Sequence, residues 1–437
     1  MARPSILFLN RVYPPGRGAT GRVLRDLARA FARDGWDVTV LTTGMVSREE
    51  KDGPIRVIRI RAPMKVKSIT GYFNVWVRLL IGGMKLPPQD LVVTMTDPPM
   101  LVLAGQWIAH VKKSRHINWC HDLYPELLPT MGLNLPDFML RFLRRRSRQA
   151  MRECDRIVAI GRCMARQLSQ SGIDPRRITV IPNWPDYELT GQQAPVLEFR
   201  QGPLNLKNGF RSVNGSDRRR RKRKDTDDTS ARPFEELFRD GDNPKFRILY
   251  SGNLGRAHPI ATVLDAAEIL NRNNPEIEFV FIGDGPGQDR LAQERARRGL
   301  ENIRLLPYQP ASRLRELMES GDVHLISMKH EVAGLLVPSK LYSALAVERP
   351  CIFIGPAQSE VAKVINDFSA GMVVPQGESG ALARAIVSFR DSSDAWYSAH
   401  QGAAQAGRIF IPGESIAAWI KRARDTLGLP SAEEKRR

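Results

Sequence analysis

Residues 246–270 read FRILYSGNLGRAHPIATVLDAAEIL. A six-residue run, Phe246–Ser251, ends in a glycine turn at Gly252–Gly255. The turn leads into a segment whose apolar residues recur at helical spacing. Strand, glycine turn and helix together open a parallel α/β unit. The same alternation continues through Phe279–Gly283, Ile303–Leu306, Val323–Ser327, Cys351–Ile354 and Met372–Val374. A doubly wound sheet is therefore predicted from Lys245 onward.

The first half carries its own alternation. Ser5–Asn10, Asp37–Thr42, Leu91–Met95, Ile117–Cys120, Arg156–Ile160 and Ile178–Pro182 are strand candidates. Val23–Asp34 has the spacing of an amphipathic helix. Gln192–Asn243 interrupts the pattern with almost no periodicity. The predicted fold class is α/β: two Rossmann-like domains facing across a cleft. The predicted domains are residues 1–190, a basic disordered insertion at 191–243, a second domain at 244–410, and 411–437. That last piece is a C-terminal helix returning to the first domain, with its tail. Ligands of such sheets bind at the carboxyl ends of the strands.

The bulk composition agrees. The 437 residues exceed what one core normally holds, and 42% are hydrophobic. No apolar run approaches the ~20 residues of a membrane span. The first residues lack a secretory signal pattern, so a cytoplasmic location is expected. Cys120, Cys154, Cys163 and Cys351 lack metal or disulfide spacing and read as buried small hydrophobes. The net charge of +19 is uneven. Arg218–Lys224 alone reads RRRRKRK, and a second basic cluster spans Arg141–Arg152. The first run has no interleaved aromatic residues and no flanking recognition motif, so no specific nucleic-acid partner is expected.

Gly16, Gly18 and Gly21 form G-x-G-x-x-G after the first strand, in the context of a dinucleotide site. The second strand ends in Thr42, Thr43 and Gly44, without the acidic residue that would hold a ribose. The loop, with Arg17, is read instead as a flexible loop at the cleft edge.

The sharper signal is the order of short motifs. Tyr250 to Arg256 reads YSGNLGR. Ile282-Gly283-Asp284-Gly285-Pro286 and Val337-Pro338-Ser339-Lys340-Leu341-Tyr342 follow. In the first half stand Thr96-Asp97-Pro98-Pro99, His121-Asp122-Leu123-Tyr124-Pro125-Glu126 and Val180-Ile181-Pro182-Asn183. This series resembles the family-4 glycosyltransferases of GT-B fold, closest to bacterial members that build O-antigen, capsule and exopolysaccharide.

The resemblance implies transfer of a sugar, with retention, from a nucleotide-diphosphate sugar acting as co-substrate, without another cofactor. It implies donor contacts at Gly252, Asn253, Gly255, Arg256, Asp284, Gly285, Tyr308, Ser339, Lys340 and Leu341. Backbone N–H groups, Arg256 and Lys340 would meet the charge developing on the leaving diphosphate. His121 and Asp122 are the catalytic candidates of the first half. Gly16, Arg17, Gly18, Gly21 and Glu126 are expected on the acceptor side.

The chain also departs from the family. Leu335 and Ser343 stand where many members carry paired glutamates, leaving Glu331 as the nearby carboxylate. His258-Pro259 replaces a common Lys-Gly. No metal site is expected, because the D-x-D at Asp225-Thr226-Asp227 falls in the insertion. Lys65–Leu86 mixes apolar, aromatic and basic residues. With the Arg141–Arg152 cluster it predicts peripheral attachment to the inner membrane face, near a polyprenyl-phosphate-linked or saccharide acceptor. A GT-B nucleotide-sugar epimerase and an inactive nucleotide-sugar-binding protein are the competing functions.

Overall fold

The structure is a computed structural model describing residues 3–16, 18–63, 66, 68–190, 197–198, 211–212, 245–255 and 257–430. The chain divides into two compact units. Unit 1 holds Met1–Trp184, Gly334–Val337 and Pro412–Arg437, and unit 2 holds Pro185–Ala333 and Pro338–Ile411. The boundaries differ from expectation in two places. The first break falls after Trp184, and four residues of the second half, Gly334–Val337, count with unit 1. There Leu123 N donates to Leu335 O at 2.8 Å, and Asp122 bridges Leu336. Within the insertion, Leu197–Glu198 and Arg211–Ser212 form a short antiparallel pair. Arg218–Lys224, Asp225-Thr226-Asp227, Arg17, Lys65 and Arg256 lie outside the described residues.

The sheet of unit 1 has eight strands: β1 (Ser5–Leu9), β2 (Asp37–Gly44), β3 (Arg48–Asp52), β4 (Ile55–Arg61), β5 (Leu91–Thr94), β6 (Arg115–Cys120), β7 (Arg156–Ala159) and β8 (Ile178–Val180). Their order is β3-β4-β2-β1-β5-β6-β7-β8, parallel throughout except the β3–β4 hairpin. Helices α1 (Ala19–Arg33), α2 (Ile69–Lys85), α3 (Leu101–Lys112), α4 (Asp137–Glu153) and α5 (Arg162–Gln170) connect them. In α1, Leu24, Leu27, Ala28 and Phe31 are buried, the i, i+3, i+4, i+7 stripe of a core-facing helix. β1, β5 and α3 share an apolar core around Leu7, Val92 and Ile108.

The β3–β4 hairpin is an addition to the sequence reading. β4 alternates as IRVIRIR, with Ile55 and Val57 buried. Arg59 occupies the next inward position at 6% exposure. An inward arginine must satisfy its donors. Arg59 does so through Glu50 at 2.6 Å and the carbonyls of Tyr13, Pro14 and Thr43. It thereby ties the glycine loop to the sheet.

Unit 2 contains six parallel strands ordered Ile303–Leu306, Ile277–Ile282, Phe246–Ser251, Val323–Ser327, Cys351–Ile354 and Gly371–Val374. They are apolar on both faces, as expected of strands covered by helices on each side. Their core gathers Ile248, Phe279, Leu325, Ile352 and Trp396. The C-terminal helix Pro412–Leu427 belongs to unit 1. Its Trp419 meets Trp119 at 4.9 Å between ring centroids, and Arg424 pairs with Asp34 at 2.7 Å.

Candidate functional site

In unit 2 the loops leaving two neighbouring strands close on one another. Gly252 N donates to Ile282 O at 2.7 Å, Leu254 N to Asp284 O at 2.9 Å, and Gly287 N to Leu254 O at 2.9 Å. The approach depends on glycine. A Cβ on Gly283 would lie 2.3 Å from Gly252 O, and φ is +149° there. At Gly285, φ is +120° and a Cβ would come within 2.9 Å of Leu254 O.

Lys340 reaches this pair of loops from the first turn of helix Lys340–Ala346. Its Nζ donates to Asn253 O at 3.3 Å and sits 4.8 Å from the Tyr250 ring centroid. The Tyr250 hydroxyl donates to Asn253 O at 3.1 Å, and the Tyr308 hydroxyl bonds Asn253 Oδ1. Gly252, Asn253, Tyr308 and Lys340 are thus brought together. Lys340 has no carboxylate partner among the described residues, and burial lowers its pKa to about 8. A desolvated cation without a counter-charge costs stability. Such a group suits a site that receives an anion.

The other donor-side candidates vary. Asp284 is exposed, and its Oδ1 accepts Gly285 N at 2.7 Å, so it stabilises its own turn. Ser339 precedes the helix without a side-chain capping bond. The side chain of Leu341 is fully buried, so a ligand could meet its backbone alone. Glu331 is exposed on the short turn His330–Val332. That turn is tied to the glycine loop by Lys329 N donating to Ala257 O at 2.8 Å.

In unit 1 a pocket of about 360 Å³ opens beside the ends of β1, β2 and β4. Arg11, Tyr13, Gly16, Thr43, Met45 and Arg59 are among its lining residues. Gly16 lines it directly. The other two glycines serve packing: a Cβ would approach Val12 Cγ1 at 3.1 Å from Gly18 and 2.9 Å from Gly21. Glu126 is not at this pocket. It pairs instead with Arg144 and Arg148 of α4 at 3.9 and 3.8 Å.

His121 packs into a tryptophan cluster, 4.7 Å from Trp119. Burial lowers its pKa to about 3, so the ring is neutral. Asn183 Nδ2 lies 3.4 Å from His121 Nδ1. If the amide donates, Nδ1 accepts and Nε2 carries the hydrogen. That Nε2 is buried with no hydrogen-bond partner among the described residues, so in this tautomer His121 offers a donor there, not a base.

Asp122 is different. Burial, and then the charge of Asp97, raise its pKa to about 7, while Thr96 Oγ1 donates to it at 3.5 Å. Asp97 is itself held by Arg11 at 2.7 Å. The Arg11–Asp97–Asp122 chain was not legible as a unit, because its members lie far apart in sequence. The sign of its effect on stability follows from linkage. Between the unfolded value near 3.8 and about 7, the folded chain binds the extra proton. This group therefore favours folding at low pH, and its contribution is lost as pH rises to about 7. Asp122→Asn is expected to be more stable than wild type at pH 8, with the difference vanishing near pH 4. Urea unfolding at the two pH values measures it. Equal differences at both would show that Asp122 ionises freely.

Comparison with known proteins follows the same division. Residues 18–184 match the glycosyl transferase 4-like domain, and 234–402 match glycosyl transferases group 1. WbjE of Pseudomonas aeruginosa, named a probable glycosyltransferase, is 24% identical over 302 residues, covering 68% of this chain and 65% of that protein. WcaI of Escherichia coli (strain K12), provisionally named a colanic acid biosynthesis glycosyl transferase, is 28% identical over 232 residues, 53% of this chain and 48% of its own. The chain thus spans less than two thirds of the length of these relatives. Anabaena HepE, solved in complex with UDP, superposes with a TM-score of 0.62 at 15% identity, covering 96% of this chain and 100% of HepE. WaaG, a glycosyltransferase involved in lipopolysaccharide biosynthesis, gives 0.62 at 15%, covering 94% and 99%. With a 4-like domain in its first half, a group 1 domain in its second and this fold throughout, the chain belongs to the glycosyltransferases of GT-B fold.

Proposed function

We propose that the protein is a retaining glycosyltransferase that moves a sugar from a nucleotide-diphosphate sugar to a lipid-linked or saccharide acceptor in cell-surface polysaccharide synthesis. The observation that carries this reading is Lys340, a desolvated cation beside the Gly252–Gly255 loop with no carboxylate partner among the described residues. Breaking the bond between sugar and diphosphate puts negative charge on the leaving oxygens. A fixed cation and backbone N–H groups stabilise that charge more than the ground state. Unit 2 is assigned the donor. The Arg11–Gly16–Arg59 pocket of unit 1 is assigned the acceptor. Asp122, poised near neutrality, suits the handling of the acceptor proton. His121 Nε2 is a directional donor for a sugar hydroxyl. The descriptions of WcaI and WaaG support the polysaccharide setting, and HepE, solved with UDP, supports a nucleotide donor.

The test is incubation with a panel of UDP-, GDP- and ADP-sugars and candidate acceptors. Transfer or slow hydrolysis is the expected outcome. Interconversion of the sugar without transfer would make the protein an epimerase, and binding without turnover a binding protein.

Attachment to the inner membrane face belongs to the same proposal. No helix among the described residues is long and apolar enough to cross a membrane. However, α3 packs between α2 and α4, and all three expose large apolar side chains. Phe73 is 64% exposed, Trp107 55%, Phe138 68% and Phe142 60%. On α4, Phe138, Arg141, Phe142 and Arg145 follow one another at helical spacing, which sets aromatic rings among cations as an anionic interface requires. Wild type is expected to sediment with phosphatidylglycerol vesicles at low salt. Phe138→Ser with Phe142→Ser should weaken this at least about 10-fold. Wild type remaining in the supernatant would exclude the attachment.

A further inference from the structure

We propose that His258 is a second cation of the diphosphate site, charged only while an anion is bound, so that donor binding takes up a proton. This rests on the donor assignment to Gly252–Gly255 and Lys340. It concerns a position where the chain departs from the pattern it resembles, carrying His258-Pro259 in place of Lys-Gly.

The tautomer follows from geometry. His258 Nδ1 lies 2.6 Å from Ser327 O and 3.3 Å from Ser327 Oγ. A carbonyl oxygen only accepts, so Nδ1 carries the hydrogen. In the neutral ring Nε2 is then an open lone pair, and it has no protein partner among the described residues. The ring edge that carries Nε2 is turned toward the glycine loop: a Cβ on Gly255 would lie 3.9 Å from His258 Cδ2. His258 N also donates to Gly255 O at 3.2 Å, which fixes the residue to the loop.

The groups facing the ring come from three elements. Tyr250 meets it edge-on at 5.8 Å from its strand. Lys340 acts on it from its helix, and Lys329 from the segment after Val323–Ser327. Among the described residues, no carboxylate bears on it. Burial first, then the charge of Lys340, lower the His258 pKa to about 4; the Ser327 carbonyl opposes this, and Lys329 adds to it. Without a bound anion the imidazole is therefore neutral, and both lysines oppose its protonation. A diphosphate reverses that field. An opposite charge within ~4–6 Å favours protonation by about 1–3 pKa units, and a sugar nucleotide brings two such charges. Protonated Nε2 would then donate to a phosphate oxygen while Nδ1 keeps its bond to Ser327.

The test is calorimetric binding of UDP-glucose, GDP-mannose and ADP-glucose at pH 7, in buffers of different ionisation heat. These diphosphate diesters have no titration of their own near neutrality. Lys340, with a pKa of about 8, is already mostly charged at pH 7. For the probe that binds, wild type is expected to take up on the order of half a proton, with affinity falling as pH rises from 6 to 8. His258→Gln should bind roughly 10-fold more weakly with uptake near zero. His258→Lys should keep the affinity, with proton uptake and pH slope cut to the small part that Lys340 contributes as pH approaches 8. Wild-type binding without proton uptake, or equal uptake in His258→Gln, overturns the proposal while leaving the donor site standing. If no probe binds, the donor assignment fails and the proposal falls with it.

Discussion

Lys340→Ala is expected to weaken binding of a nucleoside diphosphate or sugar nucleotide by about 10- to 150-fold. Hydrogen bonds to charged groups contribute ~1.5–3 kcal/mol, and no carboxylate of the described residues competes for this ammonium. The pH dependence has a definite sign. Burial holds the free Lys340 near pKa 8, so its charge is present at pH 7 and fades as pH rises beyond 8. Affinity should fall across that window in wild type and be flat in Lys340→Ala. A stability effect of opposite sign should accompany the loss. The charged form is disfavoured in the folded state, so below pH 8 the wild type carries the cost of burying an unpaired cation. Lys340→Met, which keeps the stem over Tyr250, is expected to be more stable than wild type at pH 7 and defective in binding. Gain of stability with loss of binding is the signature of a functional group that folding does not need. Unchanged affinity in folded Lys340→Ala would remove the donor site from this loop.

How much of this was legible depended on the range of the interactions. Phe246–Ser251, Ile303–Leu306, Val323–Ser327 and Cys351–Ile354 matched residue for residue, because strands of a covered parallel sheet are short apolar runs bounded by turn residues. The β3 strand was missed because REEKD is all charge, and its pairing with β4 is what makes it a strand. Lys340 could be singled out by its motif, but its partner Tyr250 stands ninety positions earlier and shows in no local pattern. Gly16 and Gly18 lie in a loop after a strand, as read, whereas Gly21 falls inside α1, which starts four residues earlier than its apolar spacing indicated. Their physical reason, close packing of Gly18 and Gly21 on Val12, appears only once the loop is folded back. His121 was marked as reactive from its neighbours in sequence. Its neutrality comes from burial, against Trp119, which itself packs on Trp184 and on Trp419, nearly three hundred residues away.

That tryptophan cluster carries the second large effect. Trp419 is fully buried and packs on Trp119, which in turn packs on Trp184 and His121. Trp419→Ala is expected to destabilise unit 1 by about 3–5 kcal/mol, the usual range when a large buried ring is removed and its cavity cannot collapse. The indole N–H adds nothing to the count, since Trp419 Nε1 is buried without a hydrogen-bond partner among the described residues. Trp419→Phe should therefore cost less than about 1.5 kcal/mol, because it keeps most of the ring volume and removes an unsatisfied donor. Six of the seven tryptophans, all but Trp396, lie in unit 1, so fluorescence during urea unfolding reports on this unit. Lys340 lies in unit 2, so sugar-nucleotide affinity measured well below the transition should be unchanged in Trp419→Ala. The opposite pattern, intact stability with lost nucleotide binding, would place the C-terminal helix in the donor site instead of against Trp119. Equal costs for alanine and phenylalanine would mean that the indole nitrogen, and not the ring volume, holds the helix in place.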